Sequence, residues 1–86
     1  MKILNLWLNG YGWKPFEYND ITDIVDELKL RNIYIGNGVS IGDDVSIGNG
    51  VSIGDDVSIG NGASIGSRAY IGSRASIGNG ASIGFR

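Results

Sequence analysis

The chain has 86 residues, no cysteine and no histidine, with a formal net charge of −2 at pH 7. This length suits a single small domain or a short repeat array with a cap. The small negative charge gives no electrostatic basis for binding nucleic acid or an anionic membrane surface, and without thiols the chain offers neither disulfides nor a thiolate metal site.

Residues 1–8 do not predict a targeting or membrane-spanning segment. They contain one lysine and a short apolar run that Asn5 interrupts, without a small-residue cleavage pattern. The run is also too short to cross a bilayer. We therefore expect cytoplasmic synthesis, with no signal peptide, no transmembrane segment and no membrane partner.

Residues 3–18 predict a β-hairpin. Asn9-Gly10 is the dipeptide that a tight type I′ turn prefers, and apolar or aromatic residues lie on both sides of it. A two-residue loop predicts these opposed pairs: Leu8 with Tyr11, Leu6 with Trp13, and Leu4 with Pro15. Because proline cannot donate a ladder hydrogen bond, the second strand is expected at a sheet edge.

An amphipathic helix is predicted over residues 21–31. Its apolar residues follow the i, i+3, i+4, i+7 spacing: Ile21, Ile24, Val25 and Leu28. Asn19 or Asp20 can cap the first amides, and Asn32 is a suitable terminator. We assign residues 1–32 to a hairpin-helix unit that caps or docks onto the rest, and we interpret its aromatic residues as packing groups rather than as a ligand-binding surface.

From residue 33 the chain repeats a unit of six residues. Nine isoleucines recur six residues apart, each followed by glycine: Ile35, Ile41, Ile47, Ile53, Ile59, Ile65, Ile71, Ile77 and Ile83. A helix cannot use this period, whereas short strands joined by corners can. In each unit a small apolar residue and the isoleucine share one face, and the residue between them, usually serine, points the other way. The Asn, Asp and Gly residues that follow tolerate the positive φ of sharp corners.

Over residues 33–84 this pattern closely resembles the hexapeptide-repeat family. The resemblance implies a left-handed parallel β-helix in which three units form one coil of 18 residues. The expected fold is therefore mainly β, with about three coils in a domain of residues 33–86, preceded by the β-hairpin and one α-helix. The isoleucines would stack on three sides: Ile35, Ile53 and Ile71; Ile41, Ile59 and Ile77; Ile47, Ile65 and Ile83.

Many members of the resembled family are acyltransferases in which a histidine acts as general base and acetyl-CoA or another acyl carrier lies between the prisms of a trimer. This chain has no histidine, and none of its repeat units carries an insertion that would form the family's substrate loop. We therefore expect no enzyme activity, no catalytic residue and no cofactor. A degenerate acyltransferase, or one whose partner supplies the base, is the alternative.

Two acidic pairs lie in the predicted prism, Asp43-Asp44 and Asp55-Asp56. They fall at different corners, so we interpret them as turn formers rather than as metal ligands, and no metal site is expected. Stacking by 18 residues would also place Asp55-Asp56 beside Ser73-Arg74, which predicts an exposed ion pair between an aspartate and Arg74.

Tyr34 and Tyr70 replace the outward serine at two positions on the same predicted side, with Ser52 between them. Strand spacing would separate them by about 9–10 Å. Because tyrosine is enriched at interfaces, we predict a lateral contact here. For Tyr34, packing against the N-terminal unit is the alternative. A saccharide- or surface-binding module that uses this tyrosine and serine side is a further class of function.

The predicted prism has no helix to cover its C-terminal end, where Phe85 and Arg86 follow the last repeat. Open strands invite association. We expect this end to contact another molecule, or the sequence to be a fragment of a longer rod. The leading hypothesis is a non-enzymatic structural module that forms a homo-oligomer, as a trimer by family resemblance or end to end through its last coil, or docks onto a larger assembly such as a fibre or virion.

Overall fold

The computed structural model describes residues 2–8 and 10–84. The fold is mainly β, with one short helix. Within these ranges the elements are β1 (Lys2–Leu8), β2 (Gly12–Tyr18), a 3₁₀ turn (Ile21–Ile24), α1 (Val25–Leu30), β3 (Tyr34–Ile35), β4 (Ser40–Ile41), β5 (Val45–Ile47), β6 (Ser52–Ile53), β7 (Ser58–Ile59), β8 (Ser64–Ile65), β9 (Tyr70–Ile71), β10 (Ser76–Ile77) and β11 (Ser82–Ile83).

The short strands stack in parallel with partners 18 residues further along the chain. On one side Ile35 pairs with Ile53 and Ile53 with Ile71. The other two isoleucine rows pair in the same way, so the predicted stacking is confirmed. We call β3–β5 the first layer, β6–β8 the second layer and β9–β11 the last layer.

The corners of the layers follow the predicted rule for positive φ. Every sixth residue, from Asn32 to Gly80, has φ between 57° and 75°. These residues are Asn32, Gly38, Asp44, Gly50, Asp56, Gly62, Arg68, Arg74 and Gly80. Glycine adopts this region without strain, whereas an ordinary L-residue such as Arg68 or Arg74 is less stable there by roughly 1–2 kcal/mol.

The glycine after each isoleucine is required for a different reason, the close approach of the next layer. A Cβ placed on Gly54 would lie 2.7 Å from the backbone nitrogen of Ser73 and 2.9 Å from its Cα. Gly72 occupies the equivalent position in the last layer, and there an added Cβ would meet nothing within 4 Å among the described atoms. The requirement for glycine therefore comes from the layer that packs on it.

The hairpin differs from its prediction by one residue in register. Leu8 pairs with Gly12 and Trp7 with Trp13, so the predicted two-residue loop and its opposed pairs are wrong. Gly12 has φ of 95°, a conformation that admits the extra loop residue. The shift brings the two tryptophan rings together in an edge-to-face contact with centroids 5.3 Å apart.

β1 also joins the stacked strands, because it pairs in parallel with β5. Leu4 lies opposite Val45 and Leu6 opposite Ile47, and both leucines are 0% exposed. The sheet order is β11-β8-β5-β1-β2, which places β2 at the edge that Pro15 predicts. One sheet therefore contains strands from both predicted domains, and the division at residue 32 stays a prediction.

The predicted helix is present, but its first turn is 3₁₀. The Asp23 N–H donates to the Asp20 carbonyl at 2.8 Å, and the Asp23 carboxylate accepts from the Asp20 N–H at 3.1 Å. Backbone hydrogen bonds from Asp20 and Asn19 lower the pKa of the exposed Asp23 carboxyl. The helix ends where Asn32 adopts its positive φ and Ile33 N–H donates to Leu28 O at 3.0 Å.

Candidate interaction surfaces

The tyrosine surface consists of Tyr34 and Tyr70, with Ser52 between them. The strand register places all three on one side, as predicted. Tyr34 is 73% exposed and Tyr70 72% exposed. Tyr34 also lines a cavity under the helix. The contact made by this surface stays a prediction, and the other two predicted interface residues, Phe85 and Arg86, lie outside the described residues.

The end face is the edge of β9, β10 and β11 that points away from the second layer. In the second layer, Ser52 N–H donates to Ala69 O at 3.0 Å and Gly54 N–H donates to Ile71 O at 2.8 Å. The equivalent N–H groups of Tyr70 and Gly72 have no backbone acceptor among the described residues. Within residues 2–8 and 10–84, the end face therefore presents strand edges that no other strand pairs with.

The apolar interior is also less covered at the end face. Ile59 is 4% exposed and Ile65 1% exposed, whereas the residues stacked on them, Ile77 and Ile83, are only partly buried. An added Cβ on Gly78 would meet nothing within 4 Å in the described structure, as at Gly72. The last layer thus has the same shape as the first and second layers, each of which is covered by a further layer.

The first side chain of several corners binds the preceding layer. Asn37 N–H donates to Asp55 Oδ1 at 2.8 Å, and Asp55 N–H donates to Ser73 Oγ at 3.3 Å. Asp43 Oδ1 accepts from Ile3 N–H at 2.8 Å, so β1 takes the place of a preceding layer there. These aspartates are therefore part of the corner structure. The described residues contain no group of three or more His, Cys, Asp or Glu side chains placed to hold a metal ion.

Asn49 occupies the same kind of corner position without such a bond. Its Oδ1 is buried and accepts no hydrogen bond from the described residues. The residue 18 positions earlier is Arg31, whose N–H donates to Leu28 O at the end of the helix. The helix therefore removes the donor that a preceding layer would have supplied.

The predicted ion pair between an aspartate and Arg74 is wrong. In the described part of the chain the ion pair found is Arg31 with Glu27, at 3.1 Å. A Cβ placed on Gly38 would meet the Asp56 carboxylate, which shows that this side chain lies against the preceding layer. At a corner with positive φ, the carboxylate therefore points away from Arg74.

A cavity of about 620 Å³, which is not among the sequence-based predictions, lies between the helix and the first layer. Its apolar lining comes from both elements: Ile21, Val25 and Leu28 on one side, and Ile33, Ile35 and Val39 on the other. Ile35 is only partly buried, although Ile53 and Ile71 in the same row are 3% and 5% exposed. The first layer is thus incompletely covered at β3.

Beside this cavity, β4 receives two polar side chains from the hairpin. Ile41 O accepts from Lys2 Nζ at 2.9 Å and from the Tyr18 hydroxyl at 3.4 Å. Burial and the nearby Asp43 carboxylate raise the pKa of Tyr18. This hydroxyl therefore stays protonated near neutral pH and serves as a hydrogen-bond donor in packing.

Comparison with known families relates part of the repeat to one of them. The sequence model of the family described as bacterial transferase hexapeptide (six repeats) matches residues 31–67. Neither the curated proteins nor the solved structures gave a match. Across the part of the chain that the structure describes, no helix is both long and apolar enough to cross a membrane.

Proposed function

Residues 31–67 belong to the hexapeptide-repeat family, and from this premise we propose that the chain is a non-enzymatic structural module that self-associates. We further propose that its stacked strands form a left-handed β-helix of about three coils. The family's acyltransferases depend on a histidine general base, for which this sequence has no counterpart. The chain thus keeps the scaffold without the group that activates the acceptor.

The end face is the observation that carries the proposal. The space next to Gly36 and Gly42 in the first layer is filled by the second layer. The equivalent space next to Gly72 and Gly78 in the last layer is not filled by any described atom. At Gly36 an added Cβ would lie 2.7 Å from the Gly54 carbonyl carbon, so the layers approach closely wherever one packs on another. A surface of this shape, with unpaired strand edges, favours association with another layer of strands.

We propose that the occupant of the end face is the end face of a second copy. The opposite end of the first copy is partly covered by β1, which already occupies the position of a preceding layer beside β5. Two end faces related by a two-fold axis would bring their strands together in antiparallel order, in which donors and acceptors alternate along each edge. A closed dimer of this kind is isologous and needs a single type of surface.

The test is sedimentation velocity across a wide range of protein concentration. The wild-type mass should rise above the 9.1 kDa of one chain as concentration increases. Gly78→Ala places a methyl group on the end face without a clash in the monomer. An overpacked contact costs about 1–3 kcal/mol, so the dissociation constant of the variant should rise roughly 5- to 150-fold.

Ser40→Ala is the matched control, because Ser40 is an exposed residue of the first layer, away from the end face. It should associate like the wild type. A wild-type chain that stays at one-chain mass at every concentration would refute self-association. Saturable acetyl-CoA binding in calorimetry would instead support the acyltransferase alternative.

A further inference from the structure

The free edge of β3, together with the cavity beneath the helix, stands out because the other two sides of the first layer are covered. β5 pairs with β1 on that edge. Ile41 of β4 accepts hydrogen bonds from Lys2 and Tyr18. On the same edge of β3, the carbonyls of Ile33 and Ile35 accept no backbone hydrogen bond from the described residues. This side is therefore the open side of the layer.

The cavity next to this edge is large and apolar. Its volume of about 620 Å³ lies within the range of typical ligand pockets. The helix contributes Val25, which is 40% exposed, and the first layer contributes the partly buried Ile35. Asp20 and Lys29 supply one charge of each sign to the lining. The lining thus favours apolar side chains and does not select a strongly charged ligand.

β1 shows what kind of segment covers an edge of the first layer. Leu4 and Leu6 point inward and are fully buried, while Asn5 between them donates to Asp44 Oδ1 at 3.0 Å. This apolar-polar-apolar segment runs parallel to β5. The hairpin therefore supplies β5 with an added strand at this edge. No described strand pairs with β3 at the same edge.

We propose that the edge of β3 and the adjoining cavity bind an extended peptide segment of a partner protein, added as a parallel strand with an apolar-polar-apolar sequence. Its two apolar side chains enter the cavity, and its backbone donates to Ile33 O and Ile35 O. Strand addition of this kind draws affinity from main-chain hydrogen bonds and specificity from alternate side chains. The site lies at the opposite end from the end face, so it does not depend on self-association.

The stacked layers indicate which peptide amide matters most. Within the chain, Tyr34 N–H donates to Val51 O at 2.9 Å and Gly36 N–H donates to Ile53 O at 2.8 Å. If the peptide pairs with β3 as β3 pairs with β6, the N–H of its central polar residue donates to Ile33 O. Methylation of that amide removes the donor and leaves both apolar side chains in place.

The probe is a fluorescein-labelled hexapeptide with the sequence Lys-Ile-Leu-Asn-Leu-Lys, titrated with the full chain in fluorescence anisotropy. Saturable binding is expected. The peptide N-methylated at asparagine should bind roughly 5- to 150-fold more weakly, because an unmade buried hydrogen bond costs about 1–3 kcal/mol. Val25→Lys, which places a charge at the cavity, should weaken binding by a similar factor.

Leu30→Lys is the matched control on the same helix, because Leu30 is 78% exposed and does not line this cavity. Circular dichroism checks that both variants fold. No saturable binding would overturn the proposal. Equal binding of the N-methylated peptide would also overturn it, because the cavity would then accept apolar groups without strand addition. An equal loss in Leu30→Lys and Val25→Lys would place the peptide elsewhere.

Discussion

The substitutions Gly54→Ala and Gly72→Ala test whether the repeat glycines are required by the next layer. The two residues are equivalent positions on one side of the stack, and neither has φ in the left-handed region. An alanine Cβ at residue 54 would lie 2.7 Å from the Ser73 nitrogen, which belongs to rigid backbone, whereas at residue 72 it would meet no described atom within 4 Å. The first should overpack the layers and the second should not.

The expected cost for Gly54→Ala is about 2 kcal/mol, within the usual range for overpacking. For a chain of this size that corresponds to a fall in Tm of roughly 8–16 °C. Gly72→Ala should be neutral or stabilising by about 0.4–1 kcal/mol, because alanine restricts the unfolded chain. Urea and thermal unfolding followed by circular dichroism at low micromolar concentration measure both. Equal destabilisation of the two variants would refute the argument from layer contact.

Further substitutions test the cap, the corners and the helix start. Leu6→Ala should lower the free energy of unfolding by about 2–5 kcal/mol in urea titrations, and Leu30→Ala by far less, since Leu6 is fully buried and Leu30 78% exposed; similar losses would contradict the assignment of β1 to the core. Gly62→Ala should cost roughly 1–2 kcal/mol through φ alone, and Arg74→Gly should gain roughly 1 kcal/mol in the same assay; opposite signs would contradict the corner argument. Because the pKa of Asp23 is lowered in the folded state, its contribution is present above the unfolded pKa of about 3.9 and is lost as pH falls through the folded pKa. Asp23→Asn should therefore reduce the loss of stability at acid pH, measured by urea titrations at a series of pH values. A pH profile of stability unchanged from the wild type would contradict this role of Asp23.

The repeat was predictable because its information is local and periodic. An interval of six residues with glycine and a turn-forming pair specifies strands and corners, and three intervals return the chain to the same side. The observed pairing of Ile35 with Ile53 follows directly from that period. Pro15 likewise indicated an edge strand from its own chemistry, because it lacks an N–H.

The remaining features depend on contacts between distant residues or on side-chain direction. The pairing of Leu6 with Ile47 spans the helix and three strands, and no local pattern encodes it. The hairpin register depends on the positive φ of Gly12, which competes with the turn preference of Asn9-Gly10. The prediction of an ion pair for Arg74 was wrong because the 18-residue stacking determines the Cα positions but does not determine the direction of the corner side chains.

The candidate surfaces divide in the same way. The alignment of Tyr34 and Tyr70 could be deduced from the period. The cavity beside β3 could not, because its walls come from the helix and from the first layer, whose relative placement is a tertiary property. Its one local signal is Val25, an apolar helix residue that lines the cavity and is 40% exposed.

Amide hydrogen exchange at two protein concentrations tests the proposed self-association through the end face most directly. The N–H groups of Gly72 and Gly78 have no backbone acceptor among the described residues, whereas Gly54 N–H is already bonded to Ile71 O. Raising the concentration should slow exchange at residues 72 and 78 and leave residue 54 nearly unchanged. Fast exchange at residues 72 and 78 that does not vary with concentration would contradict the account.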